Sequence, residues 1–168
     1  MSNTDTLLEF LQIPICSSEG IFERFQEIPN SIFRGQNKER FLYCRGFRKN
    51  RVLLVAHADT VWDEFYLKGI RFHQELAFRD KIIESGRQDC GIGADDRAGC
   101  AILWLLKDMG HSLLITDGEE KGLQGSTWLM HHPDNSDIAD EINEEHQFVV
   151  QFDRCNGRDF KCYKVGTP

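Results

Sequence analysis

The sequence predicts an α/β fold, a three-layer α/β/α sandwich around a mostly parallel mixed sheet. Three observations predict it. Strand-like and helix-like segments alternate from Arg51 to Phe152, the pattern of a sheet with helices on both faces. The strand-like runs Val52–Ala56, Ser112–Thr116 and Phe148–Phe152 are short and largely apolar, as strands buried on both faces require. Each of these runs, and the glycine-bearing segment Gly91–Ala94, ends on acidic or imidazole residues, and loops at strand ends are where open α/β sheets build their sites.

Element by element, Thr6–Leu11 and Glu19–Phe25 have helical amphipathic spacing around a break at Pro14. Phe41–Cys44 and Arg51–Ala56 are strands joined by a polar turn near Lys49 and Asn50. Ile70–Phe78 alternates in part and is a further strand, whereas Lys81–Gly91 is loop-like. Ala98–Met109 is apolar at helical spacing, with Gly110 placed to end it. Ser112–Thr116 is a short buried strand, and Gly125–His131 a helix that Pro133 terminates. Asp137–Glu145 is a polar helix, Gln147–Phe152 another buried strand, and Phe160–Val165 a last strand. With 168 residues and no long linker, repeat or low-complexity stretch, residues 1–168 form one domain.

Composition narrows the function. A net charge of -7 argues against nonspecific nucleic-acid binding. Apolar runs fall short of the roughly 18 residues of a membrane span. The polar start Met1-Ser2-Asn3-Thr4-Asp5 has no basic region ahead of an apolar stretch, so a cytoplasmic protein without a secretory signal is expected. Six cysteines without a CxxC pair fit free thiols in a reducing compartment.

The chemistry lies in four clusters: His57-Ala58-Asp59, Asp95-Asp96, Glu119-Glu120 and Asp153. One imidazole and several carboxylates at one sheet edge repel and raise one another's pKa values. A pair of divalent metals resolves this, which makes a two-metal hydrolase site the reading of the pattern. His57 offers one ring nitrogen to a metal, and Asp59 is spaced to hold the other and fix the tautomer. Asp96 precedes a helix and suits an N-cap, leaving Asp95 free to ligate. Glu119 and Glu120 leave a strand pointing different ways, so they can take different roles. Zinc suits mixed imidazole and carboxylate ligands, with cobalt or manganese as alternatives.

These strings, read together as His57-Ala58-Asp59-Thr60, Gly93-Ala94-Asp95-Asp96-Arg97-Ala98-Gly99, Glu119-Glu120 and Phe152-Asp153-Arg154, resemble the co-catalytic zinc exopeptidases, which include zinc aminopeptidases, related carboxypeptidases and aminoacylases. The similarity runs from about Leu53 to Arg154, with a looser helical lead-in from Leu7 to Phe33. The resemblance implies a compact, lidless zinc-exopeptidase-like domain. It implies metal ligands His57, Asp95, Glu120 and Asp153, with Asp95 bridging two zinc ions and the bond after it often cis. It makes Glu119 the general base on metal-activated water, gives Asp59 a supporting catalytic role, and sets Arg154 to balance charge or hold a substrate carboxylate. The implied reaction is hydrolysis of a peptide or amide bond, aminopeptidase-like, on peptide or N-acyl amino acid substrates. The alternatives are an N-acyl amino acid amidohydrolase and a catalytically silent metal-binding relic. The last histidine ligand of that superfamily has no counterpart after Asp153, so a C-terminally truncated chain with one tight metal site is expected. His131 and His132, beside Pro133, read as ordinary surface residues.

Overall fold

The computed structural model describes residues 2–63, 74–80 and 82–153. Five strands form the main sheet: β1 (Ile32–Gln36), β2 (Glu39–Cys44), β3 (Leu53–His57), β6 (Ser112–Thr116) and β7 (Val149–Gln151), in the spatial order β1-β2-β6-β3-β7. β3 runs parallel to β6, with His57 opposite Thr116, and parallel to β7, with Leu53 opposite Val149. β2 is antiparallel to β1 and to β6. The sheet is therefore mixed, and its parallel part is the half that carries the site. β3, β6 and β7 all end at the same edge, so the residues that follow them are brought together.

Both faces of the sheet are covered, because β2, β3 and β6 alternate two sets of apolar side chains. Leu42, Leu54, Ala56, Leu113 and Ile115 face one core with Phe10, Phe22, Phe25, Cys100 and Leu103, from α1 (Asn3–Gln12), α2 (Glu19–Gln26) and α3 (Ala94–Leu106). Phe41, Tyr43, Leu53 and Leu114 face the other with Leu129, Ile138 and Ile142, from α4 (Gln124–His131) and α5 (Ser136–Glu145). The three-layer α/β/α arrangement follows from that period of two. No helix among the described residues is long and apolar enough to cross a membrane.

Several expectations change. β2 and β3 are not neighbours, because β6 lies between them and buries all five of its residues against both. The lead-in is not helical to Phe33, since β1 starts at Ile32 and pairs with β2. β4 (Leu76–Arg79) and β5 (Ile82–Ser85) form a separate hairpin, so part of the loop-like segment is a strand. β7 is not buried: Phe148 and Val149 are exposed, at the outer edge of the described sheet. The strand expected over Phe160–Val165, and residues 70–73 of the one expected over Ile70–Phe78, lie outside the described residues. Among the described residues, Cys16, Cys44, Cys90 and Cys100 are buried free thiols.

Candidate metal centre

His57 is the last residue of β3 and its side chain is fully buried. Its Nδ1 lies 3.1 Å from the backbone carbonyl of Asp59 and 3.5 Å from that residue's carboxylate. The carbonyl is thus the nearer orienting partner. An Nδ1–H donating to it leaves Nε2 as the outward nitrogen. The buried Asp59 carboxylate does something the sequence did not suggest. It accepts the backbone N–H of Glu119 at 3.1 Å and of Glu120 at 3.2 Å. One side chain therefore fastens the loop after β3 to the loop after β6. Behind this turn the fully buried Arg97 donates to the carbonyls of Ala58, Pro14 and Ser17, pinning the His57–Asp59 turn to the α1–α2 connection.

Asp95 and Asp96 part company as expected. Their peptide bond is cis, and both have non-helical backbones, so the regular turns of α3 begin after them. Asp96 is buried and caps α3, accepting the Gly99 N–H at 2.8 Å, and it also accepts the His57 N–H at 3.3 Å. Gly99 has to be glycine: a Cβ there would sit 2.2 Å from the Asp96 carboxylate and 2.4 Å from the Phe152 carbonyl. Asp95 points the other way, its exposed carboxylate 3.1 Å from His57 Nε2.

Glu119 and Glu120 sit on a short 3-10 turn, Glu119–Lys121, directly after β6. Asp153 follows β7, its carboxylate accepting from Gln151 at 2.9 Å. Carboxylate oxygens of Glu119 and Asp153 each lie 4.0 Å from His57 Nε2. Two sets of ligand atoms result, each within 4.8 Å of one another: His57, Asp95 and Asp153, and His57, Glu119 and Glu120. The first is the expected tight set. The second contains the expected Glu120, but grouped with His57 and Glu119 rather than with Asp95. The exposed His131 and the half-buried His132 lie at the far end of α4, where His132 accepts the Asp134 N–H.

The electrostatics describe a centre that favours a cation. Burial pushes the Asp96 carboxyl up to about 8. Burial, then the surrounding carboxylates, raise Glu119, Glu120 and Asp153 above the usual carboxylate range. Burial works against charge on His57, but the acids around it outweigh that and hold its imidazole up to about 9. The imidazole of His57 and the carboxylates of Asp95, Asp153, Glu119 and Glu120 converge on one strand edge, and imidazole with carboxylates is the donor chemistry of a divalent metal centre. The expected ligands His57, Asp95, Glu120 and Asp153, and the expected base Glu119, all stand there.

Sequence reasoning missed a second layer behind these residues. Lys38, in the β1–β2 turn, bonds Asp63 and Asp117, and Arg40 on β2 bonds the same Asp117. No local pattern announces these partners, which lie 25 to 79 residues apart in the chain. Arg154 falls outside the described residues.

Against known proteins, the model of peptidase family M28 matches residues 44–163. A search of curated proteins finds no match. Among solved structures, the chain is similar to a tripeptidase from Staphylococcus aureus, with a TM-score of 0.59 and 20% identity. It is also similar to the aminopeptidase PepT from Bacillus cereus, with a TM-score of 0.56 and 16% identity. In both cases 90% of this chain is covered, and the chain spans 43% of the other protein's length.

Proposed function

The chain belongs to peptidase family M28, and we propose that it acts as a metal-dependent exopeptidase that hydrolyses peptide bonds in the manner of an aminopeptidase. The observation that carries the reading is the convergence of His57, Asp95, Asp153, Glu119 and Glu120 at the shared end of three parallel strands. His57, Asp95 and Asp153 would hold one divalent ion, and Glu120 would contribute to a second. Zinc is the metal their chemistry favours. When bound, such a metal supplies Lewis-acid polarisation of the scissile carbonyl and acidifies the attacking water.

The chain's own residues do the rest. Glu119 takes the proton of the attacking water on its carboxylate and hands it to the leaving amine nitrogen. Burial raises its pKa above the ordinary carboxylate value, the direction that a group taking and then giving back a proton requires. Asp59 keeps the base in place by holding the Glu119 N–H, and its carbonyl fixes the His57 tautomer. Asp96 holds the backbone of His57 and the start of α3 in one register.

The test is hydrolysis of a panel of aminoacyl-anilides and N-acyl amino acids by chelator-treated protein, with and without added zinc. Zinc-restored release of the anilide, abolished by Glu119→Gln, supports the reading. Turnover that survives chelation, or cleavage of N-acyl amino acids alone, overturns it.

A further inference from the structure

The two loops that carry the site are joined by a second, outer link. Lys38 donates from Nζ to Asp117 Oδ1 at 2.8 Å and also to Asp63. Asp117 stands two residues before Glu119, and Asp63 four residues after Asp59. One ammonium therefore spans the start of the Glu119–Glu120 turn and the end of the His57–Asp59 loop. The inner link between these loops is the Asp59 carboxylate on the Glu119 and Glu120 amides.

The partners of the two acids are unequal. Asp117 is fully buried and richly bonded, accepting also from the Gly118 N–H at 2.8 Å, Ser18 Oγ at 2.6 Å and Arg40 Nε at 2.7 Å. Asp63 is buried too, but its Oδ1 has no partner, and among the described residues Lys38 is the one side chain that bonds its carboxylate. Loss of Lys38 would leave Asp117 held and Asp63 stranded, so the consequence falls on the loop that follows His57 and Asp59. The fit around Lys38 is close. Gly118 has φ +68, and a Cβ there would lie 2.9 Å from the Lys38 carbonyl oxygen. A compact ammonium can donate to two carboxylates at once from such a crowded turn, where a planar guanidinium is bulkier and more restricted in direction.

We propose that Lys38 is a positioning residue for the metal centre: by bonding Asp63 and Asp117 it sets the spacing of the His57–Asp59 loop against the Glu119–Glu120 turn, and so the affinity of the centre for its metal. This rests on the metal-centre reading given above. Lys38 acts on the centre through the two loops and touches none of the ligand side chains.

The experiment is titration of the metal-free full chain with cobalt(II), followed by its ligand-field absorption. The proteins are the parent, Lys38→Met, Lys38→Arg, Asp63→Asn, His57→Ala and Arg51→Met. Arg51→Met is the control, because Arg51 holds Glu141 and Glu145 at the opposite end of β3, so it weakens a part-buried ion cluster remote from the centre. Lys38→Met is expected to weaken cobalt binding about tenfold, the low end of what direct partners of metal ligands contribute, because Lys38 acts through the loops, and to alter the band. Lys38→Arg, which keeps the charge but not the compact geometry, recovers only part of the affinity. Arg51→Met lowers the melting temperature and leaves affinity and band unchanged. Should Lys38→Met fail to fold, Asp63→Asn carries the same expectation through the other end of the link. Parent-like binding in a folded Lys38→Met, or in Asp63→Asn when Lys38→Met is unfolded, overturns the proposal. So does an equal loss in Arg51→Met. Parent-like binding by His57→Ala instead overturns the metal-centre reading itself, which separates the two failures.

Discussion

Replacing Asp59 by asparagine tests the inner link. The Asp59 carboxylate is buried and receives two backbone N–H groups, those of Glu119 at 3.1 Å and Glu120 at 3.2 Å. An asparagine of nearly the same shape has one oxygen. It can accept one N–H and must turn its amide NH2 towards the other. The variant loses a hydrogen bond to a charged group, about 1.5–3 kcal/mol, and risks a buried N–H without an acceptor, about 1–3 kcal/mol. A counter-effect exists, since the change removes one negative charge from an acidic centre. It does not win: burial works to raise the Asp59 pKa, yet the His57 hydrogen bond, Lys38 and the Glu119 N–H leave it lowered, so the fold prefers the carboxylate. The expected net loss is about 3 kcal/mol. Urea denaturation of the metal-free protein would register it as a drop of about 1–3 M in midpoint at unchanged slope. Amide exchange localises it, because the Glu119 and Glu120 amides lose protection before the middle of β6 does. A midpoint within error of the parent, with both amides still protected, would refute the two-bond account of Asp59.

Other expectations follow from the same geometry. Zinc at 100 times its dissociation constant should stabilise the protein by about 2.7 kcal/mol; calorimetry should find most of that gain missing in His57→Ala, and an undiminished shift would put the metal elsewhere. Glu119→Gln should cut turnover by about 10²–10⁴-fold while elemental analysis finds the parent's metal content, whereas Glu120→Gln should lose metal; equal metal loss in both would refute the division of roles. The metal-free protein should lose stability as pH rises. Its raised groups bind more protons folded than unfolded, so the Asp96 contribution is lost from its ordinary value of 3.8 through about 8 and that of His57 from 6.5 through about 9. Melting curves in chelator that rise from pH 6 to pH 9 would contradict this, while saturating zinc should reverse the trend, because its ligands bind deprotonated.

The parts of this protein that were legible in the sequence are those that a few adjacent residues specify. Ser112–Thr116 is a strand with those ends because an apolar run lies between Gly110-His111 and Asp117-Gly118. The site residues were legible for a related reason. Strand ends are marked locally, and a parallel sheet brings its strand ends together whatever the order of the strands. The order was not legible: nothing in Phe41–Cys44 or Arg51–Ala56 says that a strand some sixty residues later will lie between them. β7 misled because an apolar run reads as buried whether it lies at the centre of a sheet or at its edge. β5 was hidden by its shortness and by the charges around it.

The same distinction explains why the candidate ligands were legible and their supports were not. A ligand must reach a point just beyond a strand end, and few residue types can serve there, so chemistry and position both constrain it. A support need only reach another loop. Its partners are set by how the β1–β2 hairpin folds over the end of β6, which is a property of the assembled sheet. Lys38 and Asp117 come within 2.8 Å from positions 79 residues apart. The carboxylates at the centre repel one another, and cross-linked loops resist that repulsion better than free ones. Asp59 on two backbone amides and Lys38 between two acids supply that resistance from neighbouring positions on the same pair of loops. A perturbation of Lys38 should therefore register in metal affinity before it registers in the fold of the sheet, whose two apolar cores lie on its faces and are built without it.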